Sequence, residues 1–164
     1  MDSISEARLK LINPLLARKI HLLALMLQDE KIVFRVTQGL RSWNDQNKLY
    51  QQGRTTPGKV VTDSPAGHSW HEFGLAVDIV PIVGDPPNPD FDITHPEWNR
   101  IISVAQSLGL TSGSEFHTIK DYSHLQLSGT FPISPNEEVR QIFLNAGMEA
   151  VWYEAGLMED STNV

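Results

Sequence analysis

The spacing of apolar positions along the chain predicts both helices and strands. A broad apolar face over residues 14–30, with Pro14 suited to a first helical turn, is typical of a helix. Apolar residues alternate with others over residues 31–38, which is typical of a half-buried strand. Two more strands are predicted, at residues 74–80 and from His124 onward.

Cap signals predict further helices. One begins after Ser42 and ends at Gly53, and another begins at Thr94 and ends at Gly109. Two C-terminal helices are expected within residues 134–157. Because few connections are long enough for parallel crossovers, we predict an α+β fold with a small, mostly antiparallel sheet flanked by helices.

The rest of the chain contains neither an internal repeat nor a linker followed by a second module. Residues 1–164 are therefore predicted to form a single domain. Within it we expect a short strand at Val60–Val61 and a loose tail from Met158.

Composition excludes several classes of protein and of site. The chain is 40% hydrophobic and 20% charged, as in ordinary globular domains. It has no cysteine, so a metal would be held by histidine and carboxylate, and a thiol nucleophile is excluded. A net charge of -7 with scattered lysine and arginine argues against nucleic-acid binding.

Hydropathy argues against membrane insertion. The longest apolar run, residues 22–27, falls far short of the roughly 20 residues that span a bilayer. The first residues show no basic segment followed by an apolar stretch, so no secretion signal is predicted.

Two segments carry the residues suited to chemistry: Ser69-Trp-His71-Glu-Phe-Gly-Leu-Ala-Val-Asp78 and Asp121-Tyr-Ser-His124. Two histidines and one carboxylate with an open fourth position are the usual ligands of a hydrolytic zinc ion. An ionised aspartate on an apolar strand is costly unless it is paired or binds a metal. Asp121, three residues before His124, is the first candidate for general base.

These segments closely resemble the zinc peptidases that include D-alanyl-D-alanine carboxypeptidases and phage endolysins of the L-alanyl-D-glutamate peptidase type. The fold of that family is shared with the hedgehog signalling domain. The segments Gly39-Leu-Arg-Ser42 and Leu49-Tyr-Gln-Gln-Gly-Arg-Thr55 resemble the endolysin-type branch. The resemblance covers about residues 35–130.

The resemblance implies a complete site. One zinc ion is expected on His71, Asp78 and His124, with Asp121 as base and with Arg41, Gln46 and Ser69 lining the substrate cleft. A guanidinium fork suits a carboxylate or a polarised carbonyl oxygen. The alternatives are a surface ion pair for Arg41 and a turn hydroxyl for Ser69.

Other residues near the motif are alternative candidates for the base or for the border of the cleft. The segment Thr111-Ser-Gly-Ser-Glu-Phe-His117, before Asp121, departs from the WG-type segment of tryptophans and glycines often found there in relatives, and Glu115 within it is a second candidate base. Glu72 is a weak third, because its side chain is expected to point away from the metal. His68 and His117 are candidates for the border of the cleft. For the acidic loop from Asp85 to Asp92 a solvated surface is favoured over a calcium site.

The sequence therefore predicts a zinc peptidoglycan hydrolase that cleaves the stem peptide as an L-alanyl-D-glutamate endopeptidase. The alternatives are a D-alanyl-D-alanine carboxypeptidase of the same family and a non-catalytic zinc-binding domain. We expect a monomer without a separate cell-wall-binding domain, made in the cytoplasm and released by a holin-type pore-forming partner.

Overall fold

The computed structural model describes residues 1–158 of the chain. These residues form an α+β fold, as predicted, with helices and a small antiparallel sheet. The helices are α1 (Ser3–Leu9), α2 (Pro14–Leu27), α3 (Trp43–Gln51), α4 (Pro96–Ser107), α5 (Glu137–Ala146) and α6 (Met148–Glu154). The strands are β1 (Phe34–Gln38), β2 (Ala76–Val83), β3 (Asn88–Pro89), β4 (Thr111–Ser112) and β5 (His124–Gln126).

Strand β2 lies at the centre of the sheet. The strand order is β1-β2-β5-β4, and the short β3 pairs with the far end of β2. All these pairs are antiparallel, and the register sets Asp78 of β2 opposite His124 of β5. The pairing of β1 shifts between Val36 and Gln38, so Gln38 rather than Thr37 lies opposite Asp78.

Alternation along β2 sends successive side chains into different surroundings. Val77 and Ile79 belong to the larger apolar core, which the buried faces of α2 and α4 complete. Ala76 belongs to a second core, formed with Trp70 and Phe73 and with helices α5 and α6. Asp78 belongs to neither core and lies on the same face of the strand as Ala76.

Local capping explains several helix starts and corrects one prediction. The Ser42 hydroxyl accepts from a backbone N–H at the start of α3, as the sequence suggested. Thr94 does not cap α4, because its own N–H and hydroxyl both donate to Asp92. His95 caps that helix, and Asn136 caps α5.

Other parts differ from the sequence prediction. Helix α1 was not predicted; Asp2 caps it and pairs with Arg35 of β1. Val60–Val61 is loop rather than strand. The predicted loose tail from Met158 falls, after its first residue, outside the described part of the chain. No helix within residues 1–158 combines the length and the apolar character needed to cross a membrane.

Candidate metal centre

The two predicted histidines and Asp78 lie together. Their ligand atoms are all within 4.8 Å of one another, and no other such group of three occurs among residues 1–158. Asp78 and His124 face each other across the β2–β5 pair. His71 lies on a 3₁₀ turn, Trp70–Phe73, which ends at Gly74 in the left-handed region with φ of 64°. Gly74 ends the turn that carries His71, and the chain enters β2 two residues later, at Ala76.

The distances within this group fit one tetrahedral ion. His71 Nε2 lies 3.1 Å from Asp78 Oδ1 and 3.2 Å from His124 Nδ1. His124 Nδ1 lies 3.5 Å from the same Asp78 oxygen. Tetrahedral ligands about 2.0–2.2 Å from zinc are about 3.3–3.6 Å apart. The three atoms are therefore spaced for a metal such as zinc with only small adjustments.

Hydrogen bonds outside the group fix which imidazole nitrogen is available. His71 Nδ1 lies 2.8 Å from the Gly39 carbonyl oxygen, so it carries the proton and leaves Nε2 as the ligand. His124 Nε2 lies 2.9 Å from Gln126 Oε1, which leaves Nδ1 as the ligand. The Gln126 amide is itself oriented, because its nitrogen donates to the Ile133 carbonyl at 2.8 Å. Both rings thus present a lone pair to the space beside Asp78.

Electrostatics favours an ionised Asp78. Burial alone would raise the pKa of its carboxyl, but the imidazoles of His71 and His124 outweigh burial and hold that pKa well below its ordinary value. Burial alone would lower the pKa of His124, yet its hydrogen bond to Asp78 raises it above the ordinary histidine value. Without a metal, the Asp78 carboxylate therefore attracts protons to His124, and a divalent cation would replace them.

Asp121 lies in the same cleft and is held by its own turn. Its Oδ1 accepts from the Ser123 N–H at 3.1 Å and from the Ser123 hydroxyl at 2.6 Å. The other carboxylate oxygen, Oδ2, is left for an incoming group. Gly113 packs against this turn so closely that a Cβ there would lie 2.5 Å from the Asp121 carbonyl oxygen. Ser123 and Gly113 were not singled out from the sequence, because their contacts depend on the folded turn.

Arg41 is buried against the candidate ligands. Its side chain is 10% exposed, and Nη2 donates to Asp78 Oδ2 at 3.3 Å. The surface ion pair considered from the sequence is therefore wrong. Nη1 donates to Gln46 Oε1 at 2.8 Å. Gln46 is fully buried, donates to the Ser64 carbonyl, and is not among the residues that line the cleft. Gln46 therefore orients Arg41 through this hydrogen bond and does not form part of the cleft wall, as the sequence had predicted that it would.

Ser69 does line the cleft, as predicted. Its backbone N–H donates to the carboxylate of Glu72, which also accepts from the Gly67 N–H. Burial raises the pKa of Glu72, and these backbone donors partly oppose the increase. Glu72 therefore points into the turn and away from the metal site, as expected.

The other candidates lie elsewhere. Glu115 accepts from Gln106 on the exposed surface. His117 is exposed and His68 contacts Arg140, and neither is among the cleft-lining residues. The carboxylates of the acidic loop do not form a cluster of three that could hold a metal among residues 1–158.

The candidate ligands lie at the base of a cleft of about 290 Å³. One wall is the loop of residues 61–64, which Gln46 holds by donating a hydrogen bond to the Ser64 carbonyl. The opposite wall is formed by Phe116, Thr118 and Ile119, just before Asp121. Such a volume is near the lower end for small-ligand sites and would hold a short segment of an extended chain.

Comparison with known proteins identifies the family of this chain. A family model described as D-alanyl-D-alanine carboxypeptidase, of the M15 peptidases, matches residues 62–127, which contain the three candidate ligands and Asp121. The peptidoglycan L-alanyl-D-glutamate endopeptidase CwlK of Bacillus subtilis is 30% identical over 122 residues, covering 71% of this chain and 73% of CwlK. The chain belongs to the M15 peptidase family, and it is a peptidase.

Solved structures show the same fold. The L-Ala D-Glu endopeptidase ChiX of Serratia marcescens matches with a TM-score of 0.55 and 27% identity, covering 77% of this chain and 88% of ChiX. The LD-carboxypeptidase LdcB matches with a TM-score of 0.50 and 24% identity, covering 89% of this chain and 72% of LdcB; this second likeness concerns the fold alone.

Proposed function

We propose that this peptidase depends on zinc and hydrolyses the amide between L-alanine and D-glutamate in the stem peptides of peptidoglycan. The observation that carries the proposal is the buried group of His71, Asp78 and His124 at the base of a cleft that also contains Asp121. The names of CwlK and ChiX, both L-alanyl-D-glutamate endopeptidases, support this choice of bond.

In this proposal the zinc ligands are Nε2 of His71, Nδ1 of His124 and the Asp78 carboxylate. Zinc held there would polarise the scissile carbonyl and lower the pKa of a bound water to about 7. The Gly39 carbonyl and Gln126 keep both imidazoles in the ligating tautomer.

Asp121 is the proton carrier. Its free oxygen, Oδ2, takes a proton from the attacking water, and the same carboxyl then gives it to the leaving amine. The Ser123 bonds to Oδ1 prevent the carboxylate from rotating away. Arg41 adds positive charge beside the reacting carbonyl, where it stabilises the negative charge that develops on the oxygen. Gln46 and Asp78 hold that guanidinium in place.

The first experiment is digestion of purified peptidoglycan with and without a chelator, followed by mass spectrometry of the fragments. We expect new alanine C-termini and glutamate N-termini, lost on chelation and restored by zinc. Asp121→Ala should abolish cleavage while one zinc ion stays bound. Normal turnover in that variant would refute the role of Asp121.

The second candidate is a D-alanyl-D-alanine carboxypeptidase, which the description of the matching family model favours. It would use the same ligands and Asp121 to trim a terminal residue. Digestion of intact sacculi and of free pentapeptide in parallel separates the two, because only the carboxypeptidase releases free D-alanine without new internal ends. The non-catalytic alternative predicts bound zinc with no cleavage of either substrate.

Action as an endolysin, after release from the cytoplasm through a holin, remains part of the proposal. Its test is expression with and without a pore-forming partner. Lysis that requires both that partner and an intact Asp121 is the expected result.

A further inference from the structure

A second depression adjoins the catalytic cleft at Asp121. It has a volume of about 480 Å³, and Asp121 lines both spaces. We call it the Lys120 subsite and define it by its lining residues, which are Phe91, Ile93, Trp98, Lys120, Asp121, Tyr122 and Ser123. The two spaces therefore share the candidate base as part of their lining.

This subsite exposes apolar side chains that would normally be covered. Phe91 is 69% exposed and Ile93 is 48% exposed, while Trp98 behind them is buried. Ile119, on the neighbouring wall of the cleft, is 36% exposed. Clustered large apolar side chains beside a cleft are typical of a surface that binds a ligand.

Lys120 is the cation of this surface. It makes neither a hydrogen bond nor an ion pair with any described residue, whereas Arg41 in the cleft is already bonded to Asp78 and Gln46. An anion entering here would meet the negative Asp121, and Lys120 would offset that repulsion. The subsite thus combines an apolar wall with one unpaired positive charge.

The proposed chemistry determines which part of the substrate reaches this side. The group that protonates the leaving amine must lie next to it, so the residue that supplies the amine lies on the Asp121 side of the cleft. In the proposed substrate that residue is glutamate, which has two carboxyl groups. The side-chain carboxyl continues the chain beyond two methylene groups, and the α-carboxyl, next to the carbon that bears the amine, is left as a free carboxylate.

We propose that the Lys120 subsite binds the glutamyl half of the substrate, with Lys120 on its free carboxylate and Phe91 and Ile93 against its aliphatic part. This inference rests on the proposed function. It makes Lys120 a specificity residue that distinguishes a free carboxylate from an amidated one. The Lys120 side chain takes no part in the bond-breaking step.

The test compares two stem peptides that differ only at this group, one with the glutamyl carboxylate free and one with it amidated. We expect the wild type to favour the free acid by about two- to fivefold in kcat/KM, mainly through KM, as for an exposed ion pair. Lys120→Met should abolish the preference, and Lys120→Arg should retain it. Lys10→Met is the matched control and should behave as wild type, because Lys10 is also an exposed lysine but caps the C-terminal end of α1 and lines neither space.

The outcomes separate this inference from the function on which it rests. An unchanged preference in Lys120→Met, with both peptides cleaved, would overturn the inference and leave the proposed function intact. Failure of the wild type with bound zinc to cleave either peptide would overturn both. Equal cleavage of the two peptides by wild type would also overturn the role of Lys120.

Discussion

Replacing Gln126 with methionine should weaken metal binding without touching a ligand. Gln126 accepts from His124 Nε2 at 2.9 Å and donates to the Ile133 carbonyl at 2.8 Å. Its side chain is almost fully buried, so water does not easily take its place. Methionine fills a similar volume but supplies neither bond, and His124 is then free to change its tautomer and turn its ring.

The expected magnitude follows from these two bonds. Loss of a partner that orients a metal-bound histidine weakens metal affinity about 10–100-fold, or about 1.4–2.7 kcal/mol. The buried His124 Nε2–H also loses its acceptor, whereas the Ile133 carbonyl keeps the bond that the Trp70 indole donates at 2.9 Å, so the metal-free protein should lose about 2 kcal/mol of stability. For a chain of 164 residues this lowers Tm by about 4–8 °C.

The assay is zinc competition against a chromophoric chelator, with thermal unfolding of the metal-free protein in parallel. Gln46→Met is the matched control, because Gln46 is also fully buried but contacts Arg41 and Ser64 instead of a ligand. It should keep near wild-type zinc affinity while losing similar stability. Zinc affinity of Gln126→Met within twofold of wild type, in a folded protein, would refute the argument that Gln126 orients His124.

Three further predictions concern the base, the ligands and the fold. Asp121→Asn should lower kcat about 10²–10⁴-fold with zinc content unchanged, measured by turnover and metal analysis; coupled loss of zinc would contradict a pure proton-transfer role. The pKa of His124 is raised, so protons begin to compete with zinc at a higher pH than they would at an ordinary histidine. Zinc affinity measured from pH 8 down to pH 5 should therefore decrease steadily as the pH is lowered. Asp2 has its pKa lowered to about 2, since the Ser5 N–H and Arg35 outweigh the effect of burial. Its carboxylate therefore stabilises the fold above pH 3.8 and loses that effect as the pH falls towards 2. Asp2→Asn should cost about 1 kcal/mol in denaturant unfolding at pH 7 and almost nothing near pH 2; an equal cost at both would contradict the pairing with Arg35.

The sequence was sufficient to choose the side chains that lie at the base of the cleft. The absence of cysteine limited the ligands to histidine and carboxylate, and the spacing of His71, Asp78 and His124 selected three of them. Asp78 was recognisable because a carboxylate within an apolar strand needs a partner wherever that strand lies. The helix after Ser42 and the strand within residues 31–38 were also predictable, since capping and alternation are local properties.

The tertiary structure decided how these side chains meet. Asp78 faces His124 only because β2 pairs with β5 in one antiparallel register, and a shift of one residue would turn either side chain to the other face. The roles of Gln46 and Gln126 depend on partners that lie beyond their own helix or strand, Ser64 and Ile133 respectively. Such contacts join segments whose pairing no local pattern encodes.

The same reason explains what the sequence did not reveal about the cleft. The space beyond Asp121 is built from the loop that carries Phe91 and from the turn at Lys120, which are about thirty residues apart in the chain. Neither segment has a regular hydrophobic period, so neither predicts its neighbour. Local chemistry therefore determined which residues can bind a metal and move a proton, whereas long-range packing alone determined their distances, their tautomers and the shape of the surface that receives the substrate.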